Sequence, residues 1–321
     1  MSENEQKLRI PPRVCYMVLF CLLTPLFYRF VSYLVRFSLG VYRSVTPAYR
    51  LAHDLPDKAS IAGFVAKFIV ARCLAVTGHV VRSNVLAAHG KRMTENIGFC
   101  LQGTKYFVDL SAGEMFSFEE IYHGHTYEKV VDFIPKDNWI IFDVGANVGV
   151  FTIQQARRGA HVYAFEPNPG CHRRLCKAIV ENRLSDRVDV FDWAIGAALG
   201  QGTLRVSNGV SCMGVVVPGD AGSFGGAATV HITALDNVVP MLGVGRIDLL
   251  KVDTEGAEVE VLSGAARSLE IVERVIIEYH SAELLRQASD ILGNHGFTPV
   301  LCMPQGPGMD RGMLYARKVG A

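Results

Sequence analysis

With 321 residues, half of them apolar, the chain has ample material for one sizeable domain and an extension. The formal net charge is +1, with no basic excess and no interleaving of aromatic and basic residues, which argues against nucleic acid as the main partner. Eight cysteines occur without a C-x-x-C pair or a disulfide-rich spacing, against a zinc ribbon or stapled secreted domain and for mostly buried thiols in a reducing compartment.

Residues 1–60 hold eight Lys/Arg against four acids, so this segment is +4 and the remainder −3. Val14 to Tyr28, "VCYMVLFCLLTPLFY", are fifteen uncharged residues. As a helix they span about 22 Å against a hydrocarbon core of about 30 Å, too short for a comfortable crossing. Beyond them Arg29, Arg36, Arg43 and Arg50 recur every seven residues, which stacks at least the first three on one helical face. Phe30, Tyr33, Leu34, Val35 and Phe37 fill much of the remaining surface, with Pro25 as a kink and Pro47 as a stop. Residues 14–44 therefore read as an apolar anchor followed by a helix lying on a membrane surface. A pair of core helices capping the domain is the competing reading, and a cleaved signal peptide lacks its small-residue cleavage site. "SIAGFVAKFIVARCLAV", Ser60 to Val76, is a third apolar stretch, either surface-bound or packed on the domain. The expectation is a membrane-associated chain with a helical extension over 1–82 and a domain over 83–321 facing the cytoplasm.

Downstream, "GFCLQGTKYFVDLS" predicts a β-hairpin at 98–111, and 114–134 predicts a helical stretch. Strands are predicted at 139–144, 161–165, 188–193, 247–252 and 275–279, with helices at 148–157, 169–182, 235–241, 257–268 and 281–293. Segments 298–303 and 313–318 form a closing strand pair, and "GDAGSFGGAAT" at 219–229 reads as a flexible loop. Short apolar strands alternating with helices specify an α/β fold with a doubly wound, mostly parallel sheet. Ligands of such sheets sit beyond the carboxyl ends of the strands.

The first of these strands runs into "IFDVGANVGVFT". A dinucleotide turn wants G-x-G-x-x-G, whereas this register offers Gly145, Asn147 and Val150. The actual spacing is Asp143-x-Gly145-x-x-x-Gly149. A strand-end carboxylate repels a pyrophosphate and suits a cationic or amine-bearing ligand; Gly145 permits a sharp turn, Gly149 lets the next helix pack tightly, and that helix's N-terminus can receive a ligand carboxylate. The second strand ends in "AFEPNP", placing Glu166 23 residues after Asp143, about where an acid accepts both hydroxyls of a ribose. The third ends in "DWAIG", where Asp192 and the backbone around Ala194 can meet an adenine edge. Carboxylate, glycine turn, ribose acid and adenine contact, in that order, describe S-adenosylmethionine; an NAD-dependent dehydrogenase is disfavoured by the glycine spacing.

These stretches, with "ITALDNVV", "IDLLKVDTEGAEVEVLSGA" and "VIIEYH", resemble the FkbM-type S-adenosylmethionine-dependent methyltransferases over about residue 92 to the C-terminus. The resemblance implies a class I methyltransferase fold, Rossmann-like, and usually methylation of a hydroxyl oxygen on a sugar or natural product. It does not reach the first 80 or so residues.

Methyl transfer to oxygen needs the nucleophile held near the methyl carbon and its proton removed. In "KVDTEG" strand alternation puts Lys251 and Asp253 on one side, with Glu255 on the turn beyond. Asp253 is the candidate general base or hydroxyl orienter, Glu255 its assistant, and His280, which titrates near neutrality, a second base; a helix cap or a structural histidine are the plainer readings. Glu278 can orient the Asp253 loop, and Asp253, Glu255 and Glu278 together could hold a divalent cation, although the resemblance requires no metal. Tyr127 and Glu120 can cover the cofactor's methionine end. Cys212 has little support as a nucleophile, and Cys171 and Cys176 read as packing residues. The acceptor is a small molecule, lipid or glycan, its identity and the oligomeric state being open. A soluble enzyme with an N-terminal helical lid or dimer interface, and a membrane-tethered binding protein with a degenerate site, are the alternatives.

Overall fold

The computed structural model describes residues 96–109, 112, 114, 116–206, 214–218, 228–306 and 308–320. The anchor and surface helix expected within 14–44, the apolar stretch at 60–76, Cys212, and 219–227 of the glycine-rich loop lie outside the described residues. Among the described residues no helix is long and apolar enough to cross a membrane. Of the four described cysteines only Cys171 is buried, and Cys302 is exposed, against the expectation of mostly buried thiols.

The expected hairpin forms from β1 (Ile97–Leu101) and β2 (Thr104–Val108). Its turn residues Gln102 and Gly103 have φ of 51° and 68°, the primed turn geometry that suits strand twist. The helical stretch expected over 114–134 forms only in pieces: a helical turn at Phe116–Phe118, a π-helical turn at Glu119–His123 and a 3-10 turn at Val131–Phe133. His125 takes a positive φ of 46°, and the Thr126 hydroxyl donates to the Glu120 carbonyl at 2.7 Å, so the helix stops.

Strands β3 (Ile140–Val144), β4 (His161–Phe165) and β5 (Val188–Phe191) are followed by β6 (Trp193–Ile195), β7 (Gly200–Val206), β8 (Gly214–Pro218) and β9 (Ala228–Thr233). Then come β10 (Leu249–Val252), β11 (Arg274–Tyr279), β12 (Phe297–Pro304) and β13 (Gly312–Lys318). The helices between them are α1 (Val150–Arg157), α2 (Pro169–Glu181), α3 (Leu235–Leu242), α4 (Glu258–Ser263) and α5 (Ala282–Asn294). The main sheet has the order β12-β13-β11-β10-β3-β4-β5, with every strand parallel except β13. Chain order reverses between β3 and β10, so the ligand crevice is expected beyond their carboxyl ends. The expected doubly wound sheet is therefore present, with its closing strand pair in place.

Alternation along the strands sorts the two faces. Phe142, Val144, Leu250, Val252, Val275 and Ile277 join Leu235, Val238, Val261, Leu262, Ala288 and Leu292 of α3, α4 and α5 in one buried apolar cluster. Asp143, Lys251 and Glu278 have the opposite parity and are buried on the other face, the side of α1.

Two expectations shift and three strands are new. The strand expected at 188–193 stops at Phe191, and Trp193 opens β6 in a separate four-stranded sheet of order β6-β9-β7-β8. The helix expected at 257–268 ends at Ser263, and Gly264 beyond it lies so close to the Gly196 carbonyl that a Cβ would sit 2.0 Å from that oxygen. No strand was expected between 194 and 246, yet β7, β8 and β9 lie there, and Ala228 and Thr229, expected in a loop, belong to β9. This second sheet buries only a small cluster of Ala194, Leu204, Val230 and Ile232, with Val216 packed against it.

Candidate active site

One cavity of about 860 Å³ opens at the carboxyl ends of β3, β4, β10 and β11. Its lining includes Gly145, Asn147, Glu166, Ala194, Asp253, Glu255 and His280 from the sequence reading, with Glu120 and Glu278 beside them. Asp143, Gly149 and Asp192 do not line it.

Asp143 is a correction. Parallel register places Lys251 of β10 beside Asp143 of β3, and the Lys251 Nζ lies 3.0 Å from Asp143 Oδ1 while Thr152 of α1 donates to Oδ2 at 2.5 Å. Asp143 is fully buried, so the cation it receives is the protein's own lysine, not a ligand's ammonium. Lys251 also donates to the Gly145 carbonyl at 2.8 Å and lies 3.5 Å from Asp253 Oδ2. Burial alone would depress this amine, but the charges of Asp143 and Asp253 outweigh it and push it up to about 12. Lys251 thus ties the glycine turn to the Asp253 loop.

The glycines are explained by packing. At Gly145, with φ +82°, a Cβ would sit 1.8 Å from the Asp253 carbonyl oxygen; at Gly149, with φ +85°, one would sit 2.2 Å from Leu175 Cδ1 of α2. The turn's amides are also occupied: Gly145 and Ala146 N–H donate to the Phe165 carbonyl and Asn147 N–H to Glu166, so this turn does not offer them to a ligand carboxylate.

Glu166 is 7% exposed and faces the cavity. Its Oε2 accepts from Asn147 N–H at 2.8 Å and its Oε1 from Asn168 N–H at 2.7 Å. Burial raises this carboxyl to about 7 in spite of those two donors. Asp192 is a second correction: it occupies the one-residue break between β5 and β6 and is exposed to solvent. Trp193, Ala194 and Phe165 line the cavity there instead.

At the far side, Asp253 Oδ2 accepts from the Tyr127 hydroxyl at 3.0 Å. Burial and then the charge of Asp253 raise Tyr127 well above its ordinary value, so it remains a donor. His280 is the third correction. Its Nδ1 lies 3.0 Å from Glu258 Oε1 and its Nε2 3.2 Å from Glu255 Oε2. Burial would lower the imidazole, but the Glu258 hydrogen bond and the charges of Asp253, Glu258 and Glu255 raise it to about 9. The charged form is thereby favoured, and with a glutamate at each nitrogen neither is open to an acceptor's proton, against its reading as a base. Glu255 rises to about 7 through burial and then the charge of Asp253. Glu278 rises to about 9 through burial and then the charges of Asp253 and Glu120, and it accepts from Gln305 Nε2 at 3.2 Å and makes no bond to the Asp253 loop. Among the described residues the groups spaced to share a cation are Asp253, Glu278 and His280, not the trio with Glu255, but both His280 nitrogens are engaged by glutamates.

Sequence reading missed Arg311, between β12 and β13, and the second-sheet residues Leu204, Val216 and Ile232, all on the cavity, and Gln305, which donates to Glu278. Glu258 left a trace: it shares the i, i+3, i+4 face of α4 with Val261 and Leu262 and, like them, is buried.

The profile of the FkbM methyltransferase domain matches residues 143–299, the span from the Asp143 turn to β12. The chain carries an FkbM methyltransferase domain over those residues. It is an S-adenosylmethionine-dependent methyltransferase. Over 223 residues this enzyme is 28% identical to methyltransferase sdnD of Sordaria araneosa, a match covering 60% of this chain and 85% of that one. It is 29% identical over 222 residues to the 31-O-demethyl-FK506 methyltransferase FkbM of Streptomyces tacrolimicus, with the same shares. To the 2-O-methyltransferase NoeI of Sinorhizobium fredii it is 29% identical over 210 residues, 56% of this chain and 81% of that one.

The residues present fit the cofactor. A buried carboxylate able to accept ribose hydroxyls (Glu166), aromatic and apolar walls beside it (Phe165, Trp193, Ala194) and a buried Asn147 Oδ1 without a hydrogen-bond partner all line the cavity.

Proposed function

We propose that this enzyme methylates a hydroxyl oxygen of an amphipathic acceptor, lipid-linked or glycan-like, at a membrane surface facing the cytoplasm. The observation that carries the oxygen assignment is the pairing of two strand-end carboxylates, Asp253 and Glu255, on the same cavity as Glu166. A hydroxyl must lose a proton as it is methylated, and these groups can orient it and receive the proton. Relatives named for 31-O-demethyl and 2-O-methyl chemistry support the same reading. S-adenosylmethionine, when bound, supplies an electrophilic methyl on a sulfonium. Glu166 would accept the ribose hydroxyls, Trp193 and Ala194 would flank the base, and Tyr127 and Lys251 hold Asp253 in place. The membrane part rests on the uncharged run at 14–28 and the seven-residue arginine spacing.

Full-length protein in detergent, titrated calorimetrically with S-adenosylhomocysteine and with NAD, should bind only the first. Incubation with methyl-labelled cofactor and separate lipid and glycan extracts should label a base-stable ether; label in an amine product would overturn the oxygen assignment. Deletion of residues 1–58 should move the protein from the membrane pellet to the supernatant with its affinity for S-adenosylhomocysteine intact, whereas an unfolded product would favour a structural cap.

A further inference from the structure

Glu258 is wholly buried, and a buried carboxyl group needs hydrogen-bond partners. Its Oε1 collects three: Gly256 N–H at 2.8 Å, His280 Nδ1 at 3.0 Å and the Thr254 hydroxyl at 3.3 Å. One oxygen on α4 therefore shapes the whole Thr254–Gly256 loop and fixes the imidazole. The second ring nitrogen is thereby aimed at Glu255, 3.2 Å away. Glu255 itself sits in the left-handed region at φ 54°, a conformation that costs a non-glycine residue about 1 kcal/mol or more unless its surroundings impose it. Its side chain is 31% exposed and lines the cavity. Asp253 is differently placed, because the Tyr127 hydroxyl and the Lys251 ammonium already answer its charge.

From this arrangement we infer that Glu255 is the group that takes the acceptor's proton, with Glu258 acting through His280 as its positioning residue and Asp253 orienting the hydroxyl. The proposal rests on the cofactor reading above. In the step, the acceptor O–H bond breaks, its electron pair stays on oxygen for the new bond to carbon, and the proton goes to a Glu255 carboxylate oxygen. His280 keeps both its protons and stabilises Glu255 while it is ionised.

Sinefungin tests this without a known acceptor, since it carries an ammonium at the carbon that replaces the sulfonium and its methyl. A carboxylate at the transfer point holds that ammonium by a charge-assisted hydrogen bond, about 1.5–3 kcal/mol or roughly tenfold to a hundredfold in affinity. The quantity read is the ratio of S-adenosylhomocysteine to sinefungin dissociation constants, by calorimetry on the full chain. Glu255→Gln should abolish the sinefungin preference, with affinity for S-adenosylhomocysteine within about threefold of wild type. Glu258→Gln should reduce the preference while S-adenosylhomocysteine still binds; a purely structural role would weaken both ligands together. Asp253→Asn should retain most of the preference. Loss in Asp253→Asn with retention in Glu255→Gln would overturn the assignment, as would a wild type without preference. Failure of wild type to bind S-adenosylhomocysteine at all would instead sink the cofactor reading. If Glu255→Gln does not fold, Glu255→Asp, which keeps the charge but shortens the reach, should still lower the ratio, and an unchanged ratio there would count against the proposal.

Discussion

The wall of the cavity built by β3, β10 and β11 and the wall built by β6 to β9 are made on different principles. On the first, Asp143 and Lys251 are charges buried beneath the lining, each answering the other, and Asp253, Glu255 and Glu278 project above them. On the second, Leu204, Val216 and Ile232 present apolar surface carried by a sheet whose own core is small. Charge that must work near neutral pH is supported by the strongest part of the fold, because a buried ion is tolerable only where its partner cannot move away. Apolar accommodation needs no such rigidity and is left to the lesser sheet.

The difference can be broken most severely at Lys251. In Lys251→Met, Asp143 keeps only Thr152 as a side-chain partner, and stability should fall by about 3–5 kcal/mol. Chemical denaturation would read this, and a loss under about 1 kcal/mol would show that the pair is not a foundation of this wall. Next in size, Leu204→Ala on the other wall should cost about 2 kcal/mol while leaving the pH behaviour of S-adenosylhomocysteine binding unchanged.

Smaller, and specific to the charged wall, is the effect of Glu166. Its Glu166→Gln variant should bind S-adenosylhomocysteine roughly tenfold or more weakly, since hydrogen bonds to a charged acceptor contribute about 1.5–3 kcal/mol. In the ligand-free fold Glu166 keeps its proton up to about 7, against 4.5 as the ordinary value. Between those values the folded state binds the extra proton, so the stability this group contributes is present below 4.5 and lost as pH rises through 7. Ligand affinity should run the other way, rising about tenfold per pH unit below 7 and levelling above it, because the ionised carboxylate accepts both ribose hydroxyls. A flat profile in wild type would contradict the ribose assignment. Least of all should change in Asp192→Asn, since that side chain is exposed and off the cavity; a tenfold loss of cofactor affinity would return it to the site.

What could be read along the chain and what could not follows from where each signal is stored. The spacing of Gly145 and Gly149, the placement of Glu166, and the alternation of Lys251 with Asp253 are local patterns, and each sits where that pattern puts it. The second sheet left little local trace, since β7 opens on glycines and its pairing with β9 closes over segments distant in sequence. Asp192 was misplaced because a change of sheet between Phe191 and Trp193 breaks the alternation that would have turned it inward.

The amino-acid sequence by itself determined the alternation of strands and helices, the turn after β3 and the placing of Glu166 at the end of β4, because these depend on periodicity and on short-range sterics. Only the tertiary structure decided which charges meet. Asp143 pairs with Lys251 across 108 positions of chain because β3 and β10 are neighbours in register, and His280 lies between Glu255 and Glu258 because β11 ends beside the start of α4. Those meetings turn an expected ligand carboxylate into a foundation and an expected base into a fixed cation, since the protonation and reach of a side chain depend on its neighbours in space.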